Sequence, residues 1–125
     1  MEKIVEIGSP KTFSLDQAQE LLPLVYSITE KAHSQVRFLT SQADALKNVP
    51  QIQLQKIENE VQSLIDGWQK KMIRLGVHPK GYWLVDFDNG NGYFCWKFPE
   101  KEIKYSHGYQ EGFSGRKAIQ INTEN

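Results

Sequence analysis

The stretch Tyr82-Trp83-Leu84-Val85-Asp86-Phe87-Asp88-Asn89-Gly90-Asn91-Gly92-Tyr93-Phe94-Cys95-Trp96-Lys97-Phe98 decides the fold. Two runs rich in aromatic and β-branched residues flank two copies of Asn-Gly, the strongest short signal for a β-hairpin. A two-residue turn at either Asn-Gly gives the same pairing parity. Trp83, Val85, Phe87, Phe94, Trp96 and Phe98 then share one face, which is wholly apolar and needs a cover. Tyr82, Leu84, Asp86, Tyr93, Cys95 and Lys97 share the other, which is mixed and is expected to meet water. A two-stranded ribbon is marginal alone, and Ile103-Lys104-Tyr105-Ser106-His107 alternates well enough to be a third strand. Residues 82–116 hold ten of the fourteen aromatic residues and the only cysteine, so they must supply most of the sheet's packing.

The cover lies upstream. Ser14 followed by Gln17 forms a capping box, the start signal of a helix. Apolar residues follow at Ala18, Leu21, Val25, Ile28, Ala32, Val36, Leu39, Ala43 and Leu46, in steps of three and four throughout. Pro23 interrupts that pattern without shifting its phase, so a kink is expected there. Lys47-Asn48-Val49-Pro50 ends the first helix. Leu54, Ile57, Val61, Leu64, Trp68, Met72 and Leu75 mark a second, closed by Gly76. A short link makes the two helices antiparallel neighbours. At the open end of this hairpin both helices carry broad apolar surfaces. From Leu39 to Ile57 the stripe narrows. The sheet should therefore dock on the open end, and the closed end should protrude.

The expected fold is α+β: one domain over residues 1–125, with a long antiparallel helical hairpin at 14–75. A small antiparallel β-sheet and a Gly-rich loop, over 82–121, pack on its open end. Ile4, Val5 and Ile7 are read as a short strand ended by Gly8-Ser9-Pro10.

Charge excludes several functions. Fifteen basic residues balance fifteen acidic ones. The balance also holds region by region, seven of each sign over 14–75 and six of each from 76 onward. Nucleic-acid binding needs a basic field to displace phosphate counterions, so none is expected. A lone cysteine makes no internal disulfide. No apolar run is long enough for a bilayer or suited to export. A cytoplasmic protein with no membrane partner is expected.

Chemistry has one place to gather. His107-Gly108-Tyr109-Gln110-Glu111-Gly112-Phe113-Ser114-Gly115-Arg116 bends sharply at three glycines. Its backbone N–H groups and Arg116 could hold an anion. Structural turns with Arg116 in a salt bridge are the preferred reading. His107 and Glu111, with Asp86 or Glu100, could bind a metal through mixed nitrogen and oxygen ligands. A hydrogen-bonded histidine at a strand end is the default, and no metal is assigned. His107 could supply the base for a nucleophilic Cys95 if its strand pairs suitably, but Cys95 reads as a packing residue, since free cysteine is among the most buried residue types. The candidate ligand-binding set is Asp86, His107, Glu111 and Arg116. No catalytic residue and no cofactor are assigned.

Leu15-Asp16-Gln17-Ala18, Leu21-Leu22-Pro23, Leu84-Val85-Asp86-Phe87, Cys95-Trp96-Lys97 and the ending His107 through Arg116 resemble, in order and spacing, a bacterial domain-of-unknown-function family, number 2203. The resemblance covers about residues 13–119. Ser106 departs from it, standing where the family tends to have tryptophan. The resemblance implies a small cytoplasmic bacterial protein and transfers no activity. The functional expectation is a non-enzymatic protein-interaction or assembly module that dimerises through its hairpin. The alternative is a small-ligand-binding or anion-binding protein, or a metal-dependent enzyme, using the Asp86, His107, Glu111 and Arg116 region.

Overall fold

A computed structural model describes residues 11–45, 48 and 50–120. The strand expected at Ile4, Val5 and Ile7 lies outside them.

The capping box forms as expected. Ser14 N–H donates to Gln17 Oε1 at 2.9 Å, and Gln17 N–H donates to Ser14 Oγ at 3.1 Å. Helix α1 follows as Leu15–Ala45, continuous through Pro23, where a kink was expected. Helix α2 spans Gln51–Arg74 and packs beside α1, which makes the hairpin. Pro50 sits at the N-cap of α2, and Asn48 takes a left-handed φ of 62° in the link. Gly76, with φ 89°, ends α2 in a Schellman motif. Its N–H donates to the Ile73 carbonyl, and that of Val77 to the Met72 carbonyl.

Five strands form one antiparallel sheet in chain order: β1 His78–Gly81, β2 Leu84–Asp88, β3 Tyr93–Lys97, β4 Tyr105–His107 and β5 Lys117–Ala118. A 3₁₀ turn, Phe113–Gly115, precedes β5. The fold is thus α+β, two packed helices and an antiparallel sheet.

The hairpin of β2 and β3 keeps the expected parity, with Val85 opposite Trp96 and Phe87 opposite Phe94. Its turn differs from the two-residue form. Asp88 pairs with Tyr93, leaving the four residues 89–92 as the loop. Asp88 and Asn89 close it with side-chain bonds to the N–H groups of Gly90 and Asn91. Two local Asx turns in succession satisfy the donors that a tighter turn would have strained.

The apolar face packs on the open end of the hairpin. Phe13 meets Phe87, Tyr26 meets Trp96 and Phe98, and Trp68 meets Trp83. Trp83 and Phe98 reach the helices although both lie outside the strands. Trp83 has a left-handed φ of 66° in the tight link from β1 to β2. On α1 the buried line runs Ala18, Leu22, Val25, Thr29 and Ala32, with Leu21 and Ile28 half-buried beside it. Thr29 is tolerated inside because its hydroxyl accepts the indole N–H of Trp68 at 2.8 Å.

The second face corrects the sequence reading. It was expected to meet water, yet Asp86 and Cys95 are fully buried on it. Strand β4 adds Tyr105 and His107 alongside β3, and the loop after β4 returns through β5. That loop, not the helices, supplies partners for the polar face.

Candidate functional site

Three strands bring the polar groups together. Asp86 on β2 is directly opposite Cys95 on β3, and paired residues project from the same face. Strand β4 sets Tyr105 opposite Cys95 and His107 opposite Tyr93. His107 is thus diagonal to Cys95 and reaches across to Asp86. Its Nε2 lies 3.1 Å from each Asp86 carboxylate oxygen. The approach of β4 depends on Gly92, where any Cβ would stand 2.6 Å from the His107 carbonyl oxygen.

The imidazole is fixed from behind. Nδ1 lies 2.9 Å from the Gly108 carbonyl, which can only accept, so Nδ1 carries a hydrogen. Gly108 N–H donates to Glu111 Oε1 at 2.8 Å, and Glu111 N–H donates to the Gly108 carbonyl at 3.1 Å. Nε2 then faces a carboxylate that can only accept when ionised. One proton therefore sits between Nε2 and Asp86, and the pair is neutral as a unit. Burial pushes the Asp86 carboxyl above its ordinary value, and His107 pulls in the opposite direction.

Cys95 completes the row, with Asp86 on one side and Arg116 on the other. Its thiol is pushed up to about 12, chiefly by burial and then by the Asp86 charge. A nucleophilic cysteine needs the reverse, a thiolate beside a base. Arg116 is engaged on every side. It makes a two-pronged pair with Glu100, at 3.1 and 2.7 Å. Its guanidinium lies 4.0 Å from the Tyr105 ring centroid and 4.2 Å from that of Phe113. Glu100 also accepts the Lys97 N–H.

Of the four residues singled out in the sequence, Asp86 and His107 come into direct contact. Glu111 acts one step away, through Gly108. Arg116 turns to Glu100 and meets the pair only through Cys95. Cys95, weighed in the sequence as a nucleophile with His107 as its base and set aside as packing, is the member left out of the candidate set. The signal was there, because the hairpin parity already put Asp86 and Cys95 on one face. Donor atoms of Asp86, Cys95 and His107 lie within 4.8 Å of one another, the one such cluster among the described residues.

The family model of an uncharacterized conserved protein, DUF2203, matches residues 11–119. The chain belongs to that family. The match takes in both helices and all five strands, so hairpin, sheet and polar row fall within the DUF2203 domain. No curated protein and no solved structure shows significant similarity to the chain. Among the described residues, no helix of this DUF2203 protein is long and apolar enough to cross a membrane.

Proposed function

We propose that the protein is a non-enzymatic assembly module whose helical hairpin pairs with that of a second copy. One observation carries the reading: among the described residues a groove, apolar toward the closed end and mixed toward the sheet, lies uncovered along the outside of the hairpin. Toward the closed end it is a hollow of about 520 Å³ lined by Phe38, Leu39 and Leu64 among Ser34, Gln35, Glu60 and Ser63. It continues toward the sheet between Ile28, Ala32, Gly67 and Trp68, with Lys31 and Lys71 on its rim. Phe38 is 64% exposed there, which for a large aromatic group is a cost unless something covers it.

The groove is charged in a self-complementary way. Glu60 lies toward the closed end and Lys31 and Lys71 toward the sheet, with Glu60 and Lys71 roughly 16 Å apart at 1.5 Å per residue. A two-fold axis between them sets each copy's Glu60 against the other's lysines and builds an antiparallel four-helix bundle. Gly67 supports the same geometry. A Cβ there would meet nothing within 4 Å in this chain, so its own fold does not need the glycine, which costs helix stability. A closely approaching partner helix does need it.

Catalysis has less support, because Asp86, His107, Glu111 and Arg116 are each engaged by neighbouring groups. Sedimentation velocity tests assembly directly. A dimer, twice the 14.4 kDa chain mass, is expected at tens of micromolar, and a strict monomer at high micromolar concentration would refute it.

A further inference from the structure

We propose that Asp86, Cys95 and His107 form a binding site for a divalent transition-metal ion of the zinc type. The donor set comes first. An imidazole nitrogen, a thiol sulfur and a carboxylate oxygen converge within 4.8 Å on three adjacent strands. Zinc-type ions of borderline softness take all three donor kinds, whereas magnesium and calcium prefer oxygen alone.

The second observation is how His107 is held. Its Nδ1–H donates to the Gly108 carbonyl, and Gly108 is fixed in turn by Glu111. A metal-binding histidine is oriented in this manner, with the distal ring N–H bonded to a backbone carbonyl so that the other nitrogen presents its lone pair to the ion. Any buried imidazole N–H needs a partner; here the partner taken by Nδ1 leaves Nε2 as the nitrogen that faces the Asp86 carboxylate. The Gly-rich loop thus acquires a role: Gly108 and Glu111 aim the imidazole rather than touch a ligand.

The third is charge. On coordination the ion replaces two protons, the one on the thiol and the one shared by Asp86 and His107. The donor set then carries two negative charges, which a divalent ion neutralises inside the sheet. Asp86 and His107 are only 2% and 7% exposed, so this neutralisation takes place away from water, where it counts most. Three protein donors leave one coordination position for a water or a small anion. The site lies in the sheet, outside the hairpin groove, and does not depend on dimer formation.

Hydrogen bonds alone satisfy Asp86 and His107, and no buried side-chain nitrogen or oxygen is left unpartnered among the described residues. Stability therefore does not distinguish the readings, whereas a spectrum does. Cys95 is the chain's only cysteine, so any sulfur-to-metal band reports this site. The full chain is stripped with chelator, kept reduced and titrated with Co²⁺. One Co²⁺ per chain is expected, with a sulfur-to-cobalt charge-transfer band and the strong visible bands of tetrahedral cobalt, all displaced by Zn²⁺. His107→Gln should weaken binding at least about tenfold, and Cys95→Ser should remove the charge-transfer band. Absence of that band at millimolar Co²⁺ in the wild-type protein would overturn the proposal, whatever the variants do. So would Co²⁺ binding without a sulfur band, or a band of undiminished affinity in folded His107→Gln.

Discussion

The two ends of the helical hairpin are built from the same periodicity and meet different fates. At the open end, Ala18, Leu22, Val25, Ala32, Trp68 and Met72 are buried, and the aromatic face of the sheet closes over them. At the closed end, no described residue from 33 to 64 is buried. Three-and-four spacing identifies a helix in both places. The width of the apolar face, not its period, tells which part needs a cover from its own chain. Phe38 breaks the symmetry of that rule, being a large aromatic left outside a narrow stripe.

Substitutions separate the two ends. Trp96 is fully buried and donates its indole N–H to the Glu100 carbonyl at 2.7 Å. Trp96→Ala should cost about 3–5 kcal/mol, enough to unfold a marginal domain. Phe38→Ser, at the uncovered end, should change monomer stability by no more than about 0.5 kcal/mol. Denaturant melts below the association concentration compare them, and equal losses would erase the distinction.

Thr29→Val probes the one buried hydroxyl of the hairpin among the described residues. It keeps the shape and strands the Trp68 indole N–H, so a loss of about 1–3 kcal/mol is expected. A neutral outcome would mean that water reaches the indole.

Arg116→Ala tests the far side of the sheet. Glu100 would lose its two-pronged partner, but both side chains are partly exposed. The expected loss is about 1–2 kcal/mol. Millimolar phosphate should shift the melting temperature of neither protein. A phosphate shift in the wild type that vanishes in the variant would restore the anion-binding alternative.

Tyr109→Phe should be the mildest. Its hydroxyl donates to Asp88 at 2.6 Å, and this bond chiefly holds the Asp88 carboxyl below its ordinary value. A depressed carboxyl contributes stability above its unfolded pKa, and that stability is lost as pH falls through the folded one. The variant should match the wild type in acid and fall slightly behind it above the ordinary carboxylate range. Parallel curves through that range would show that the bond does not persist in solution.

Much of this was legible in the chain. The capping box of Ser14 and Gln17, the stop at Gly76, the parity of β2 and β3 and the third strand all follow from local chemistry. Strand β1 was not, because His78-Pro79-Lys80-Gly81 has neither alternation nor β-branched residues. It is a strand only because β2 offers an edge. Strand β5 is two residues long and equally silent. The polar row was legible in part, since Asp86 and His107 stood in the candidate set and Cys95 did not. Asp86, Cys95 and His107 have no motif spacing and meet through register alone. Burial of their face depends on where residues 108–116 return, which period-two alternation does not encode.

The pairing of two hairpins is tested most directly at Gly67, by sedimentation equilibrium and thermal melting of Gly67→Leu beside the wild type. Among the described residues a Cβ at this position meets nothing within 4 Å, and replacing a helical glycine favours the helix by up to about 1 kcal/mol. The expected result is a wild-type dimer and a variant that is monomeric, folded and no less stable than the wild-type monomer. A variant that dimerises as tightly as the wild type would contradict the groove as the interface.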